Sequence, residues 1–101
     1  MPIVIPIPDL ILYTRAGCHL CEEAHEAIRL VTEDRIARNL PVPALVEVDI
    51  DADPGVHRAL FDRIPVVELG DRRVELIVTV GKLRRLLSEV VGDAPAGGGA
   101  T

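Results

Sequence analysis

The residues of this chain best suited to carry out chemistry are Cys18 and Cys21. They are its two cysteines, and their spacing allows the thiols to close a small disulfide ring and to open it again. In thiol–disulfide exchange a thiolate attacks a foreign disulfide, and a second thiol then releases the product. A C-x-x-C pair between a strand and a helix is therefore predicted to be a redox dithiol.

The flanking sequence places the dithiol at the N-terminus of a helix. An apolar, strand-like segment at 10–14 comes first, Gly17 then supplies backbone freedom for a turn, and residues 22–28 are acidic and helical in composition. The free N–H groups and the positive dipole end of such a helix favour a thiolate at Cys18.

His19 lies inside the motif and would become charged on protonation. A cation at this position would stabilise the reduced pair and make the disulfide more oxidising. Glu22 and Glu23, one turn away, oppose that effect on the thiolate. Simple exposure to solvent is the alternative interpretation of His19.

Metal binding is a second interpretation of the same cysteines, because Cys18, Cys21 and His25 project from adjacent helical turns. A structural zinc site needs four ligands with a second clustered pair, and His57 stands alone in the sequence. We therefore predict no metal site, and a carrier of a soft metal ion stays as an alternative.

The composition fits one small domain and argues against nucleic acid as a partner. The chain has 101 residues, of which 49% are apolar, enough for a single core. Its formal charge of −5 gives no basic field for a phosphate backbone, and Tyr13 and Phe61 are too few aromatics for a stacking platform. We expect both aromatic side chains in the core.

The apolar N-terminus, residues 1–8, contains three prolines and no basic segment. It matches neither a signal peptide nor a membrane span. Two cysteines are also too few for a disulfide-stapled secreted scaffold. We expect a cytoplasmic protein without membrane association, and a monomer.

Periodicity and turn residues divide the chain into an extended arm at 1–8, a folded domain at 9–91 and a flexible tail at 92–101. A helix between two strands implies a parallel pair with a right-handed crossover, and Gly70-Asp71 implies a hairpin. The predicted fold class is α/β, a four-stranded mixed sheet in the order β-α-β-α-β-β-α flanked by helices. Strands are predicted at 9–14, 44–50, 64–69 and 72–78, and helices at 18–38, 54–61 and 80–91.

This order, with a C-x-x-C after the first strand and Ile64-Pro65 opening the third, resembles the thioredoxin-like fold. The closer similarity is to small glutaredoxins and to a glutaredoxin-like family of small bacterial proteins. The segment 12–24, LYTRAGCHLCEEA, is very similar to the opening segment of that family. The resemblance covers residues 9–91. Around the cysteines it rests on a specific motif, whereas in the C-terminal half it rests mainly on the pattern of strands and helices.

The resemblance implies a role for five residues. Cys18 matches the nucleophilic cysteine, and Cys21 matches the resolving cysteine one turn into the helix. Arg15 matches a basic residue that meets the carboxylate of glutathione. Pro65 matches a cis-proline that faces the dithiol and lets the backbone of Ile64 pair with an extended thiol substrate, as in β-augmentation.

Two departures from the glutaredoxin pattern leave glutathione binding open. Typical members have Pro-Tyr between the cysteines, where this chain has His19-Leu20, and a Gly-Gly after the hairpin, where it has Glu75-Leu76. Both cysteines are kept, which argues against the monothiol, cluster-carrying subclass. Arg63 precedes Ile64 on the predicted substrate side, and we expect it to meet an acidic partner or to be simply exposed.

The sequence thus predicts a thiol–disulfide oxidoreductase that takes electrons from a thiol reductant or a reductase and passes them to a protein disulfide. No bound cofactor is expected, and glutathione is a candidate reductant. The alternatives are a binding module of the same fold that uses its cysteines little, and the soft-metal carrier described above.

Overall fold

A computed structural model describes residues 7–94 and gives the bounds of each element. The predicted order of strands and helices is confirmed, with one additional 3₁₀ turn at Ile50–Ala52. Most of the predicted arm at 1–8 and of the predicted tail at 92–101 lies outside the described residues. The elements are β1 (Leu10–Thr14), α1 (His19–Ala37), β2 (Leu45–Asp49), α2 (Pro54–Leu60), β3 (Val66–Leu69), β4 (Arg72–Glu75) and α3 (Val80–Val90).

The four strands form one mixed sheet in the order β2-β1-β3-β4. β1 runs parallel to β2 and antiparallel to β3, and β3 and β4 form the predicted hairpin. The apolar residues of β1 therefore lie in an interior strand, since that strand has neighbours on both sides. No helix within residues 7–94 combines the length and the apolar composition needed to cross a membrane.

The fourth strand is shorter than predicted and ends at Glu75 rather than Val78. Leu76 adopts a positive φ of 65°, which turns the chain out of the sheet, and its N–H donates to the carbonyl of Pro65 at 2.9 Å. Val78 is buried in the core instead of pairing in a ladder. The apolar segment 76–78 was predicted to be a strand because the residue types that favour strands are also those that pack into a core without pairing in a sheet.

Two cores lie on opposite faces of the sheet, since side chains alternate along each strand. The smaller core contains Ile50, Leu60 and Val66 and is covered by α2, with Tyr13 packed against it. The larger one is covered by α1 and α3. Its buried members are Leu10, Leu12, Ala24, Ala27, Ile28, Val31, Val67, Leu69, Val78, Leu83, Leu86 and Leu87.

Arg35 ties the end of α1 to the residues that follow α3. Its side chain is only 5% exposed and donates hydrogen bonds to the carbonyls of Pro41 and Gly92 and to the carboxylate of Asp93. A buried guanidinium is tolerated when its N–H groups are satisfied in this way. Gly92 and Asp93, at the start of the predicted tail, are thereby held against the domain.

The hydrogen bond between Tyr13 and Glu68, on neighbouring strands of the sheet, can be tested through the pKa of Tyr13. Its hydroxyl donates to the Glu68 carboxylate at 2.9 Å, and Arg73 donates to the same carboxylate. Burial, and then the hydrogen bond to Glu68, raise the pKa of Tyr13 above its ordinary value of about 10. The neutral phenol is favoured in the folded state, so this stabilisation is present below pH ~10 and is lost as the pH rises through the folded-state pKa.

We expect Glu68→Gln to lower the Tyr13 pKa part of the way towards the ordinary value, because the nearby negative charge is removed while burial remains. Tyr13 is the single tyrosine, so a phenolate absorbance titration reports it alone. Glu33→Gln, at an exposed position of α1, is the matched control. A midpoint that is the same in both variants would contradict the contact between Tyr13 and Glu68.

Candidate functional site

Cys18 and Cys21 form a disulfide at the start of α1, with their Cα atoms 5.2 Å apart. Cys18 is the N-cap residue in extended backbone conformation, and its Sγ accepts a hydrogen bond from the N–H of Cys21 at 3.1 Å. Gly17, with φ of 77°, makes the turn from β1 into the helix. The first sulfur therefore lies among the free N–H groups of the helix N-terminus, where a thiolate is stabilised.

The two cysteines differ in their access to solvent. Cys18 is partly exposed at the end of the helix, whereas Cys21 is only 2% exposed. Cys21 lies one turn further on, on the helix face that also buries Ala24 and Ile28. An external disulfide can therefore approach Cys18, while Cys21 has little exposed surface and contributes to a separate open pocket that α1 and β2 line.

The sheet brings a second segment next to this pair. β1 and β3 are antiparallel with Tyr13 opposite Val66, so the end of β1 lies beside the start of β3. The Ile64–Pro65 peptide bond, which is cis, directly precedes β3, and Pro65 is buried. Residues on both segments consequently line one open groove of about 460 Å³: Arg15, Ala16, Gly17, Cys18, Phe61 and Ile64.

The backbone of Ile64 is partly engaged inside the protein. Its N–H donates to the Leu60 carbonyl at 3.2 Å, at the end of α2. An extended substrate that paired with Ile64 would therefore use its carbonyl, or would have to displace this long hydrogen bond. The N–H of Leu76 is also used inside the protein, because it donates to the carbonyls of Pro65 and Arg63.

Arg15 lines the groove but is paired within the protein. Its Nε donates to Oδ2 of Asp51 at 2.9 Å, and the other oxygen of Asp51 lies 3.7 Å from Nε2 of His57. A ligand carboxylate would have to compete with Asp51 for the guanidinium. Asp51 lies 36 positions from Arg15 in the sequence, and no local pattern pointed to this pair.

His19 and Arg63 are placed outside the lining of the groove. The His19 side chain is 83% exposed and lies 3.6 Å from Glu23 and 3.9 Å from Glu22. Arg63 is also exposed and makes two long contacts, 3.8 Å to Glu75 and 3.9 Å to Asp62. Of the seven predicted site residues, Cys18, Arg15 and Ile64 therefore share the groove, whereas Cys21 and Pro65 are buried and do not line it.

Phe61 is a groove residue that the sequence assigned wrongly to the core. The residue is 56% exposed, and its ring stacks on that of His57, with ring centroids 5.8 Å apart and an interplanar angle of 15°. Phe61 follows α2, whose N-terminus is capped by Asp53. The sequence feature that could have placed Phe61 at the groove is its position four residues before Pro65. Tyr13, by contrast, packs against the smaller core.

The His25 side chain reaches β2, in the open pocket that Cys21 also lines. Its Nε2 lies 2.8 Å from the carboxylate of Glu47. Within residues 7–94, no group of three or more histidine, cysteine, aspartate or glutamate side chains is arranged to hold a metal ion.

Comparison with known proteins gives consistent matches over this part of the chain. The family model of the glutaredoxin-like domain (DUF836) matches residues 9–90. The X-ray structure of the structural genomics target XcR50 from X. campestris is 30% identical with a TM-score of 0.65, covering 79% of this chain and 96% of that one. The solution structure of Ne2328 from Nitrosomonas europaea is 25% identical with a TM-score of 0.59, covering 91% and 95%.

A malarial protein of known structure is similar in fold alone. It is 16% identical, with a TM-score of 0.60, over 81% of this chain and 94% of that one. Among curated proteins, none matches the chain.

Proposed function

The chain belongs to the glutaredoxin-like domain family (DUF836) and has the thioredoxin-like fold that its sequence predicts, and from this premise we propose that it is a thiol–disulfide oxidoreductase. One observation carries the proposal: the C-x-x-C sulfurs lie at disulfide distance, with Cys18 partly exposed beside a groove and Cys21 buried. That asymmetry is what a nucleophile and a resolving thiol require.

The reaction begins from the reduced pair. The thiolate of Cys18 attacks one sulfur of a substrate disulfide, the substrate S–S bond breaks, and the departing sulfur takes up a proton. Cys21 then loses its proton and attacks the Cys18 sulfur of the mixed disulfide, which releases the second substrate sulfur as a thiol. Two electrons and two protons pass to the substrate, and Cys18 and Cys21 end as a disulfide.

The helix N-terminus assists the first step. The N–H of Cys21 donates to Sγ of Cys18, so it stabilises the negative charge on that sulfur from which the attack begins. The short spacing keeps the second thiol next to the mixed disulfide, and Cys21 is held in place by its burial.

The electrons and the substrate come from outside the chain. The electron donor is a small thiol, for which glutathione is a candidate, or a reductase, and the acceptor is a protein disulfide. The dithiol itself stores the two electrons, so the reaction needs no bound cofactor. A reducing cytoplasm, the expected location, would maintain the reduced pair.

The test is a redox titration of the purified full chain. The protein is equilibrated with glutathione buffers of stepped ratio, its free thiols are alkylated, and its mass is measured. We expect one two-electron transition, in which a tenfold change in the oxidised-to-reduced ratio takes about 30 mV. The same protein is then expected to reduce insulin disulfides with a thiol as donor.

Two outcomes would contradict this function. If no disulfide forms across the range of buffers, thiol exchange fails and the chain acts as a binding module. If the purified protein carries copper or zinc that blocks alkylation of the cysteines, the chain is a soft-metal carrier and not an oxidoreductase. A glutathione adduct that resists resolution would point to turnover by Cys18 alone.

A further inference from the structure

The groove beside Cys18 has an aromatic wall. Phe61 is more than half exposed, and its ring stacks on that of His57. Ile64 and Ala16 are the other apolar residues that line the groove, whose remaining exposed lining is mostly polar. An exposed, ordered aromatic ring next to a reactive sulfur is a contact surface for an apolar group.

The charges at the groove do not favour an anionic substrate. Of the described residues that line it, Arg15 alone carries a positive charge, and this charge is compensated by Asp51 at 2.9 Å. Glu22 and Glu23 follow the cysteine pair on α1 and add negative charge. A substrate with carboxylates beside its sulfur would meet little net attraction here.

Leu76 changes the surface next to the cis-proline. Its φ of 65° is a conformation that glycine adopts most easily, and two hydrogen bonds to the carbonyls of Pro65 and Arg63 hold it there. The Leu76 side chain is 44% exposed, and Ile77 after it is 52% exposed. The segment beside Pro65 therefore presents two apolar side chains to solvent.

On the premise of the redox function above, we propose that the substrate class is a disulfide in an extended polypeptide segment with a bulky apolar residue next to the reacting cysteine. Phe61 is the residue that determines this specificity. The apolar side chain lies on Phe61 and Ile64 while Cys18 attacks the neighbouring sulfur. Glutathione and acid-flanked cysteines are poorer substrates, because they place carboxylates where Arg15 is already paired.

The test compares three symmetrical disulfides: a short peptide with leucine beside its cysteine, the same peptide with aspartate in that position, and glutathione disulfide. The Cys21→Ser protein is mixed with each, and the mixed disulfide on Cys18 is quantified by mass over time. Each rate is divided by the rate at which 2-mercaptoethanol, a thiol without a carboxylate, attacks the same disulfide, which removes differences in intrinsic reactivity.

We expect the normalised rate to be about tenfold higher for the leucine peptide than for the aspartate peptide, and higher than for glutathione disulfide. Adding Phe61→Ala should reduce the leucine-to-aspartate ratio to about twofold, since the contact surface is lost. Phe61→Leu, which retains an apolar side chain, should retain most of the ratio. Ile36→Ala, at an exposed apolar position on α1, is the control and should leave it unchanged.

A leucine-to-aspartate ratio near one in the Cys21→Ser protein would overturn the proposed specificity. The same holds if adding Phe61→Ala leaves this ratio unchanged. A normalised rate that is highest with glutathione disulfide would overturn it too. These results leave the redox function intact, because Cys18 still forms mixed disulfides. A protein that forms no adduct with any of the three disulfides would overturn the redox function and the specificity with it.

Discussion

Cys18→Ser is expected to abolish insulin disulfide reduction, with a loss of at least about a thousandfold, because the group that forms the first covalent bond is removed. We do not expect Cys21 to take its place, since that residue is only 2% exposed. The loss should therefore be as complete as that of a variant without either thiol.

Serine is the appropriate replacement at this position. Cys18 caps α1 through its sulfur, and serine is a good N-cap residue whose oxygen can accept the same N–H of Cys21. The helix start is thereby kept while the thiol is lost. The double variant Cys18→Ser/Cys21→Ser is the control, and unfolding by denaturant reports whether the fold is preserved.

Retained turnover in Cys18→Ser would show that Cys21 reaches external disulfides, which would refute the assignment of roles. A variant that loses both activity and stability would instead be compared with Cys18→Asn, a second N-cap residue without a thiol. Activity that is absent in both variants, with the fold kept in either, supports Cys18 as the nucleophile.

Features that depend on nearby residues were predictable from the sequence. The C-x-x-C at a helix start follows from an apolar strand, a glycine turn and a helical composition within residues 10–28. Asp53 and Pro54 mark the start of α2 for a similar local reason. The order of elements then leaves few ways to build a mixed sheet, because crossovers are right-handed and hairpins are short.

Features that depend on distant residues were not predictable from one sequence. The partner of Arg15 is Asp51, which the fold brings across from the turn after β2. Phe61 directly follows α2 and lines the groove, and the sequence alone does not show towards which neighbours this end of the helix faces. An apolar residue type predicts burial on average, and a binding surface is where that rule fails.

The end of β4 illustrates the same limit. A run of apolar residues at 76–78 fits a strand, but Leu76 takes a positive φ and Val78 is buried beneath α3. In the small glutaredoxins that this chain resembles, the corresponding turn carries glycine. Here two backbone hydrogen bonds hold Leu76 in that conformation, and the position presents a side chain where glycine would present none.

Cys21→Ser is expected to stop the reaction halfway. Cys18 remains partly exposed beside the groove and still attacks a disulfide, but the neighbouring thiol that would release the product is gone. Turnover on insulin should fall more than about a hundredfold at millimolar thiol, because an intramolecular attack is replaced by a collision with an external thiol. The mixed disulfide should meanwhile accumulate towards one per chain, as measured by mass.

The contrast between the two variants separates the roles of the cysteines. Cys18→Ser should form no adduct, and Cys21→Ser should accumulate one. Cys21→Ala should behave like Cys21→Ser, which would exclude an effect of the buried hydroxyl. If Cys21→Ser instead turned over at nearly the rate of the unmodified protein, an external thiol would be the resolving group. Cys21 would then serve only to close the resting disulfide, and the chain would act through one thiol.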